Sequence, residues 1–484
     1  MHKRFVINII FRVILLASVC MLAPLGWAFH DDPRSLETKA FLETIALGFF
    51  VAGLFLWIFR VQKEYVRKIS AKDCLAIVGL SWVLLMLFGA LPLYLAGVVP
   101  HYTDAVFEIT SGFTTTGSSI FSDVEVLPRG ILFWRSFTNW LGGAGIVVLY
   151  IVLLPSLGIH TFQLYEAETA GLSTERIAPQ IKETAKKLLG VYLFLSLCEA
   201  VLLMICGMPL FDSLCHTFAT LATAGFSTKN ASIGAYGPPI QWVVTIFMFL
   251  GGVNFVLFYR AFKGKSLNFF KDEEFRTYFF MITILILFFA GVLFLSGASM
   301  SPLRDAAFQV TTIATSTGFF TADFDRWPSV LKFILILLMF VGACGGSTAG
   351  GLKVIRALLL VKIVARNTLQ TVFPNAVLPV KFNSKALEDK MVLGVLSFFA
   401  LYLLMFFAGT LILIMTDGTD IVTAMTATVA SMSNCGPGLG QVGPTQNYGW
   451  ISVPGKWLLS FLMLAGRLEF YALLVLFVPS AWKR

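Results

Sequence analysis

Four short stretches of this chain place a glycine in the same local setting. They read Thr114-Thr115-Thr116-Gly117-Ser118, Ala222-Thr223-Ala224-Gly225-Phe226, Thr315-Ser316-Thr317-Gly318-Phe319 and Ser433-Asn434-Cys435-Gly436-Pro437. Each lies between two long apolar runs and closes an amphiphilic segment of about a dozen residues, too short for a bilayer span of roughly 20. That is the pattern of a re-entrant loop. Any one copy is equally the composition of a surface turn. Four copies in one frame point instead to a fourfold pseudo-repeat.

With the four glycines aligned, Asp104, Asp212 and Asp305 share one position, and Thr423 takes it in the last copy. An acidic or hydroxyl residue there predicts the cap of a short helix running inward to the glycine. Four such segments around one axis would make a pore, because backbone carbonyls turned to an axis can replace an ion's water. Glycine is the residue most tolerant of the dihedral angles this requires.

Of the 484 residues 57% are hydrophobic and only 13% charged, against about a quarter charged in a soluble domain. The mean hydropathy is +0.82. The expected fold class is therefore an all-α membrane protein. Cys20, Cys74, Cys198, Cys206, Cys215, Cys344 and Cys435 show no paired spacing, so neither a disulfide framework nor a zinc site is indicated. His2, His30, His101, His160 and His216 are scattered, and no His/Asp/Glu cluster has metal-ligand spacing, so an enzyme is not expected.

Residues 5–29 follow Lys3 and Arg4 and are expected as a first membrane helix; a secretory signal with Gly26 and Ala28 at its cleavage site is the alternative. Residues 41–59 form the second, and the basic run Arg60, Lys63, Arg67, Lys68 and Lys72 is then cytoplasmic. Four units of helix, re-entrant loop and helix follow. The expected division is two N-terminal helices in 1–73 and pore units in 74–160, 161–265, 266–386 and 387–484. Basic residues at the unit ends, among them Lys182, Lys186, Lys263, Lys265, Lys353, Arg356, Lys483 and Arg484, put those ends and both termini in the cytoplasm. The net charge of +9 is thus a positive-inside bias rather than a nucleic-acid footprint.

After each glycine turn the apolar run is broken by small residues, at Gly142-Gly143, Gly251-Gly252, Gly342-Ala343 and Gly466. The third break extends over residues 342–353 and holds Gly342, Gly345, Gly346, Gly350 and Gly351 with Ser347 and Thr348. Each glycine costs roughly 1 kcal/mol against alanine in a helix, so five predict an unwound loop. Such backbone at membrane depth is tolerated where it is buried in protein or lines a water-filled cavity. The alternative is a helical packing face of Gly342, Gly346 and Gly350. Arg467 stands in the last apolar run, where a charge faces a cavity or a partner; Glu469 and Glu108 are the partners considered. Glu199 is a second intramembrane charge, with no partner assigned.

These residues resemble the Trk/Ktr/HKT potassium transporter superfamily. The likeness rests on the turns at Gly117, Gly225 and Gly318, on the run Asn434-Cys435-Gly436-Pro437-Gly438-Leu439-Gly440, on residues 342–353 and on Gly466-Arg467-Leu468-Glu469. It covers nearly the whole chain and is closest to the TrkH branch, the membrane subunits of bacterial Trk uptake systems. The resemblance implies a homodimer of ten-span subunits in the lipid of the bacterial inner membrane, each with one gated K⁺ pore. Its filter would be Thr115, Thr116, Gly117, Thr223, Ala224, Gly225, Ser316, Thr317, Gly318, Asn434, Cys435 and Gly436, and K⁺ held there as cargo the only metal. The glycine-rich loop would be the gate, with Arg467 projecting into the ion path. No organic cofactor is implied in this chain, since NAD(H) or an adenine nucleotide would sit on a cytosolic regulatory partner of TrkA type. Ala349 departs from the glycine usual in that branch. Gly117 implies K⁺, because serine there accompanies Na⁺ transport in the plant branch. A secondary transporter coupling K⁺ to H⁺ or Na⁺ is the alternative, which broken helices and intramembrane acids also serve.

Overall fold

The computed structural model describes residues 3–60, 71–153, 177–262, 269–474 and 477–478. Lys63, Arg67, Lys68, Lys263, Lys265, Lys483 and Arg484, and the expected unit boundaries at 160/161 and 265/266, lie outside the described residues. The described chain is mostly helical, and its one sheet is the two-residue pairing of Lys381–Phe382 with Lys385–Ala386.

The first apolar run forms Lys3–Cys20 and Leu22–Asp31, which together make one membrane-length stretch, Arg4–Asp31. Leu36–Ile58 follows, started by Ser35, whose hydroxyl accepts from the Thr38 amide at 3.1 Å. The rest of the described chain passes four times through a long outer helix, a short helix, a glycine turn and a second helix. The outer helices are Ala71–Leu95, Ile177–Ile205, Glu273–Ser296 and Asp389–Asp417. Gly297 and Gly418 close the last two in the left-handed conformation that commonly ends a helix. The short helices are Tyr102–Phe113, Leu210–Leu221, Pro302–Ala314 and Ile421–Met432.

The second helices differ. Arg129–Leu153 is continuous, Pro238–Gly251 bends by 96° into Phe255–Ala261, Ser329–Val341 resumes only at Val354–Val372, and Val453–Arg467 breaks before Tyr471–Leu474. Six helices among the described residues are long and apolar enough to cross a membrane, or seven with the bent pair. Their outward side chains, such as Phe294, Leu295, Phe407 and Leu411, are exposed and apolar, as a lipid-facing surface requires.

The short helices lie inside the bundle, so their polar groups must find protein partners. The expected caps are corrected here. Asp104, Asp212, Asp305 and Thr423 sit within the first turn, while the capping positions are His101, Pro209, Ser301 and Asp420, of which only Asp420 caps with its side chain. A first-turn carboxylate still opposes the positive end of the helix dipole. Each of the four also reaches outward. Asp104 meets Lys456 Nζ at 2.7 Å, Asp212 accepts from Thr228 at 2.7 Å, Asp305 accepts from Ser299 at 2.5 Å, and Thr423 Oγ1 accepts from the Gln441 amide at 3.2 Å.

Candidate functional site

All four short helices end in the same geometry. The residue two before each glycine has left-handed backbone: Thr115 at φ 54°, Thr223 at 54°, Ser316 at 53° and Asn434 at 54°. The next amide, of Thr116, Ala224, Thr317 or Cys435, donates to the carbonyl five residues back at 2.8 Å in every copy. The left-handed residue donates to the carbonyl three back, completing a Schellman closure whose left-handed place glycine usually fills. A non-glycine residue there costs on the order of 1–3 kcal/mol and persists only where the surroundings over-determine it.

The glycines touch one another's turns in a closed cycle. A Cβ on Gly117 would overlap the Gly225 backbone, and one on Gly225 would lie 2.8 Å from the Thr317 carbonyl oxygen. One on Gly318 would overlap the Cys435 carbonyl, and one on Gly436 would lie 2.6 Å from that of Thr116. The contacts run from first to second, third, fourth and back to first, so the turns form a ring in chain order. Cross-links reinforce it: Asn434 Nδ2 donates to Thr116 Oγ1 at 3.0 Å, and the Gly436 carbonyl accepts from Ser118 Oγ at 3.2 Å and Tyr448 Oη at 2.7 Å. Beyond the turns, Asn230 Nδ2 donates to Asp123 at 2.7 Å and holds that carboxyl below its usual range.

The small-residue breaks lie where second helices cross the ends of short helices. A Cβ on Gly142 would overlap the carbonyl of Phe113, and one on Gly466 that of Met432, each the last residue of its short helix. Gly251 stands in the same relation to Leu221, at 3.5 Å.

Residues 342–353 are not helical, so the glycines there do not make a helical packing face. Gly342, Gly346 and Gly351 adopt φ of 73°, 74° and 77°. Amides of Leu352, Lys353 and Val354 donate to carbonyls of Phe340, Val341 and Ala343 at 3.0, 2.8 and 2.9 Å, pinching the base of the loop shut. The loop rests on three of the four turns. Thr348 Oγ1 donates to the Leu221 carbonyl at 2.9 Å, the Gly350 amide donates to Ser316 Oγ at 2.7 Å, and a Cβ on Gly350 would overlap the Ser433 carbonyl. The carboxylate of Glu274 accepts from the amides of Gly345 at 2.6 Å and Ile355 at 3.1 Å, holding the loop near both ends. Ser347 Oγ donates to the Cys344 carbonyl within it.

Arg467 is 5% exposed, and the carboxylates considered for it are taken. Glu108 pairs with Arg135 at 2.6 Å, and Glu469 with Arg356 at 2.5 Å. Left-handed backbone at Glu469 and Phe470, φ 58° and 53°, interrupts the helix right after Arg467, so Glu469 does not continue its helical course. Arg467 Nη1 donates to the Thr348 carbonyl at 2.6 Å, while Nε and Nη2 have no acceptor among the described residues. Glu199 is fully buried beside Thr220 of the second short helix. The sequence reading passes over Arg135 and Lys456, both buried and bonded to the first short helix; their signal is a cation within an apolar run.

Membrane-length helices wrapped around four buried turns define a multi-pass membrane transport protein. Residues 38–484 match the family TrkH, "Cation transport protein". The chain is 38% identical to "Trk system potassium uptake protein TrkH" of Escherichia coli (strain K12) and 37% identical to the protein of that name from Salmonella typhimurium, with 100% of each chain covered. A solved structure, "Crystal Structure of the Potassium Transporter TrkH from Vibrio parahaemolyticus", superimposes with a TM-score of 0.91 at 36% identity over 100% of both chains. This chain belongs to the TrkH family.

Proposed function

We propose that this chain takes up potassium across the bacterial inner membrane through a gated, channel-like pore whose selectivity filter is the ring of four turns. The observation that carries the reading is the cyclic contact of Gly117, Gly225, Gly318 and Gly436, where each glycine leaves room only for the backbone of the next turn. Carbonyls fixed around an axis in this way replace the water of a dehydrated cation. Two spans per unit and two N-terminal helices make ten, in the unit division expected from the sequence, with both termini cytoplasmic.

The loop over residues 342–353 is the gate in this reading, because it rests against the turns of three units. Arg467, hydrogen-bonded to that loop with Nε and Nη2 unpaired among the described residues, sets an electrostatic barrier beneath the filter. The relatives named above are potassium uptake proteins of a Trk system, which supports K⁺ as cargo and a multi-component assembly. The assembly proposed is a homodimer with a cytosolic TrkA-type subunit that carries the regulatory nucleotide. No carboxylate lies within the four turns, which favours passive conduction over proton-coupled transport.

The test is K⁺ and Na⁺ flux through the reconstituted full chain, with and without a proton gradient, for the parent and for Gly117→Ser. Flux without a proton gradient and a lowered K⁺/Na⁺ ratio in the variant are expected. Strict dependence on the gradient would overturn conduction, and an unchanged ratio in Gly117→Ser would overturn the filter.

A further inference from the structure

The glycine frame exposes a second repeated position. Nine residues before the four glycines stand Glu108, His216, Gln309 and Ala427, each on its short helix. The first three are fully buried polar side chains, and all three bond the segment that leaves the turn. Glu108 accepts from Ser119 Oγ at 3.0 Å and from the Ile120 amide at 2.9 Å. His216 Nε2 lies 2.9 Å from Ser227 Oγ, and Gln309 Nε2 donates to the Ala322 carbonyl at 3.3 Å. In the fourth unit the task shifts by one residue, and Thr426 Oγ1 accepts from the Leu439 amide at 3.0 Å.

Three different chemistries, carboxylate, imidazole and carboxamide, thus occupy one place and bridge the same gap. Apolar packing would fill that space more simply, since buried polar groups carry a desolvation cost that only satisfied bonds offset. Within the proposed filter, we infer that this position is a buttress: Glu108, His216, Gln309 and Thr426 fix the strand beyond each glycine and thereby set the ring's discrimination between K⁺ and Na⁺. They are positioning residues, since each bonds the chain at least two residues past its glycine and not the glycine turn itself. A carbonyl ring held from behind keeps its diameter when the smaller ion enters. An unheld ring contracts around it.

His216 gives the cleanest test, because Glu108 also neutralises Arg135. Its Nδ1 faces the Asp212 carbonyl at 2.8 Å, which can only accept, so Nδ1 carries the proton and Nε2 accepts from Ser227. The ring also lies against Phe319, centroids 5.9 Å apart, beside the third glycine. His216→Phe keeps an aromatic ring and removes both bonds, whereas His216→Gln retains a donor and an acceptor and is the residue the third unit uses at this position.

The full chain is reconstituted in liposomes and its K⁺/Na⁺ flux ratio measured alongside Gly117→Ser. His216→Phe is expected to lower the ratio about tenfold, equivalent to about 1.4 kcal/mol, and His216→Gln to restore most of it. A merely structural role would reduce the yield of folded protein and slow both ions alike, with the ratio unmoved, and that result overturns the buttress. Should His216→Phe fail to fold, Gln309→Leu and Thr426→Val decide in the same way. A ratio unchanged in these variants but lowered by Gly117→Ser refutes the buttress and leaves the filter standing; a ratio unchanged by Gly117→Ser as well refutes the filter on which it rests.

Discussion

Arg467→Gln separates the two roles proposed for this side chain. The guanidinium is charged at any working pH, and its Nη1 holds the Thr348 carbonyl of the loop at 2.6 Å. A unit charge roughly 4 Å from a passing K⁺ repels it by about 4 kcal/mol at an effective dielectric of about 20. Since 1.36 kcal/mol is tenfold in rate, the ceiling on relief is roughly a thousandfold, and screening by water brings it down. Glutamine removes the charge and keeps a donor for Thr348; alanine removes both. No carboxylate is stranded in either variant, because Glu108 and Glu469 have their own arginines. Folding should therefore survive, with the loss of about 1 kcal/mol for one hydrogen bond in the alanine variant. Single-channel recording from bilayers should show larger unitary K⁺ current in both, and a higher open fraction only for alanine, where the loop has lost its tie. Unitary current equal to that of the parent in both variants would refute the barrier. An equal open fraction in both would refute the tie to the loop.

Three further outcomes follow from the packing. Gly346→Ala places a side chain at φ 74° and 2.8 Å from Asn254 Oδ1, so it should change the open fraction in the same recordings while the K⁺/Na⁺ ratio stays put. Gly466→Ala drives a methyl into the Met432 carbonyl and should cost about 1–3 kcal/mol, read as a lowered thermal midpoint in detergent. Arg135→Ala leaves Glu108 buried and unpaired, a loss of about 3–5 kcal/mol, whereas Arg135→Met with Glu108→Leu should recover much of the stability though not the bonds to Ser119 and Ile120.

What could be read from the chain alone was whatever glycine and spacing report. The four turns, the small-residue breaks and the unwound stretch over 342–353 all follow from where only glycine fits, and the geometry at Gly142, Gly350 and Gly466 shows carbonyls that leave no space for a Cβ. The aligned carboxylates belong to the first turn and not to the cap, because the capping positions of these helices are His101 and Pro209, neither of which caps with its side chain, a start that spacing alone does not announce. The sequence alone does not decide between a cavity and a carboxylate partner for Arg467, because Glu469 stands two positions on and nothing in the pattern announces two successive left-handed residues. His216 looked scattered among the histidines for a related reason. Its partner Ser227 is 11 positions on, across a turn, and the pairing becomes visible only when the position is counted from the glycine.

The left-handed places before the glycines raise a separate question, since glycine would hold that conformation without strain and none of the four uses it. Their side chains supply the answer in two units. Ser316 Oγ accepts from the Gly350 amide of the loop while donating to the Thr315 carbonyl at 2.7 Å. Asn434 Nδ2 joins Thr116 of the first turn to the Met463 carbonyl of its own second helix at 2.9 Å. Glycine at either position would relax the backbone and cut a bond to a part of the chain far away in sequence. In these two units the strain is thus offset by contacts that reach beyond the turn itself, from Ser316 to the loop and from Asn434 to the first turn and the second helix. In the filter proposed above, such ties would oppose deformation of the third and fourth turns, the property that size discrimination between two cations of equal charge demands.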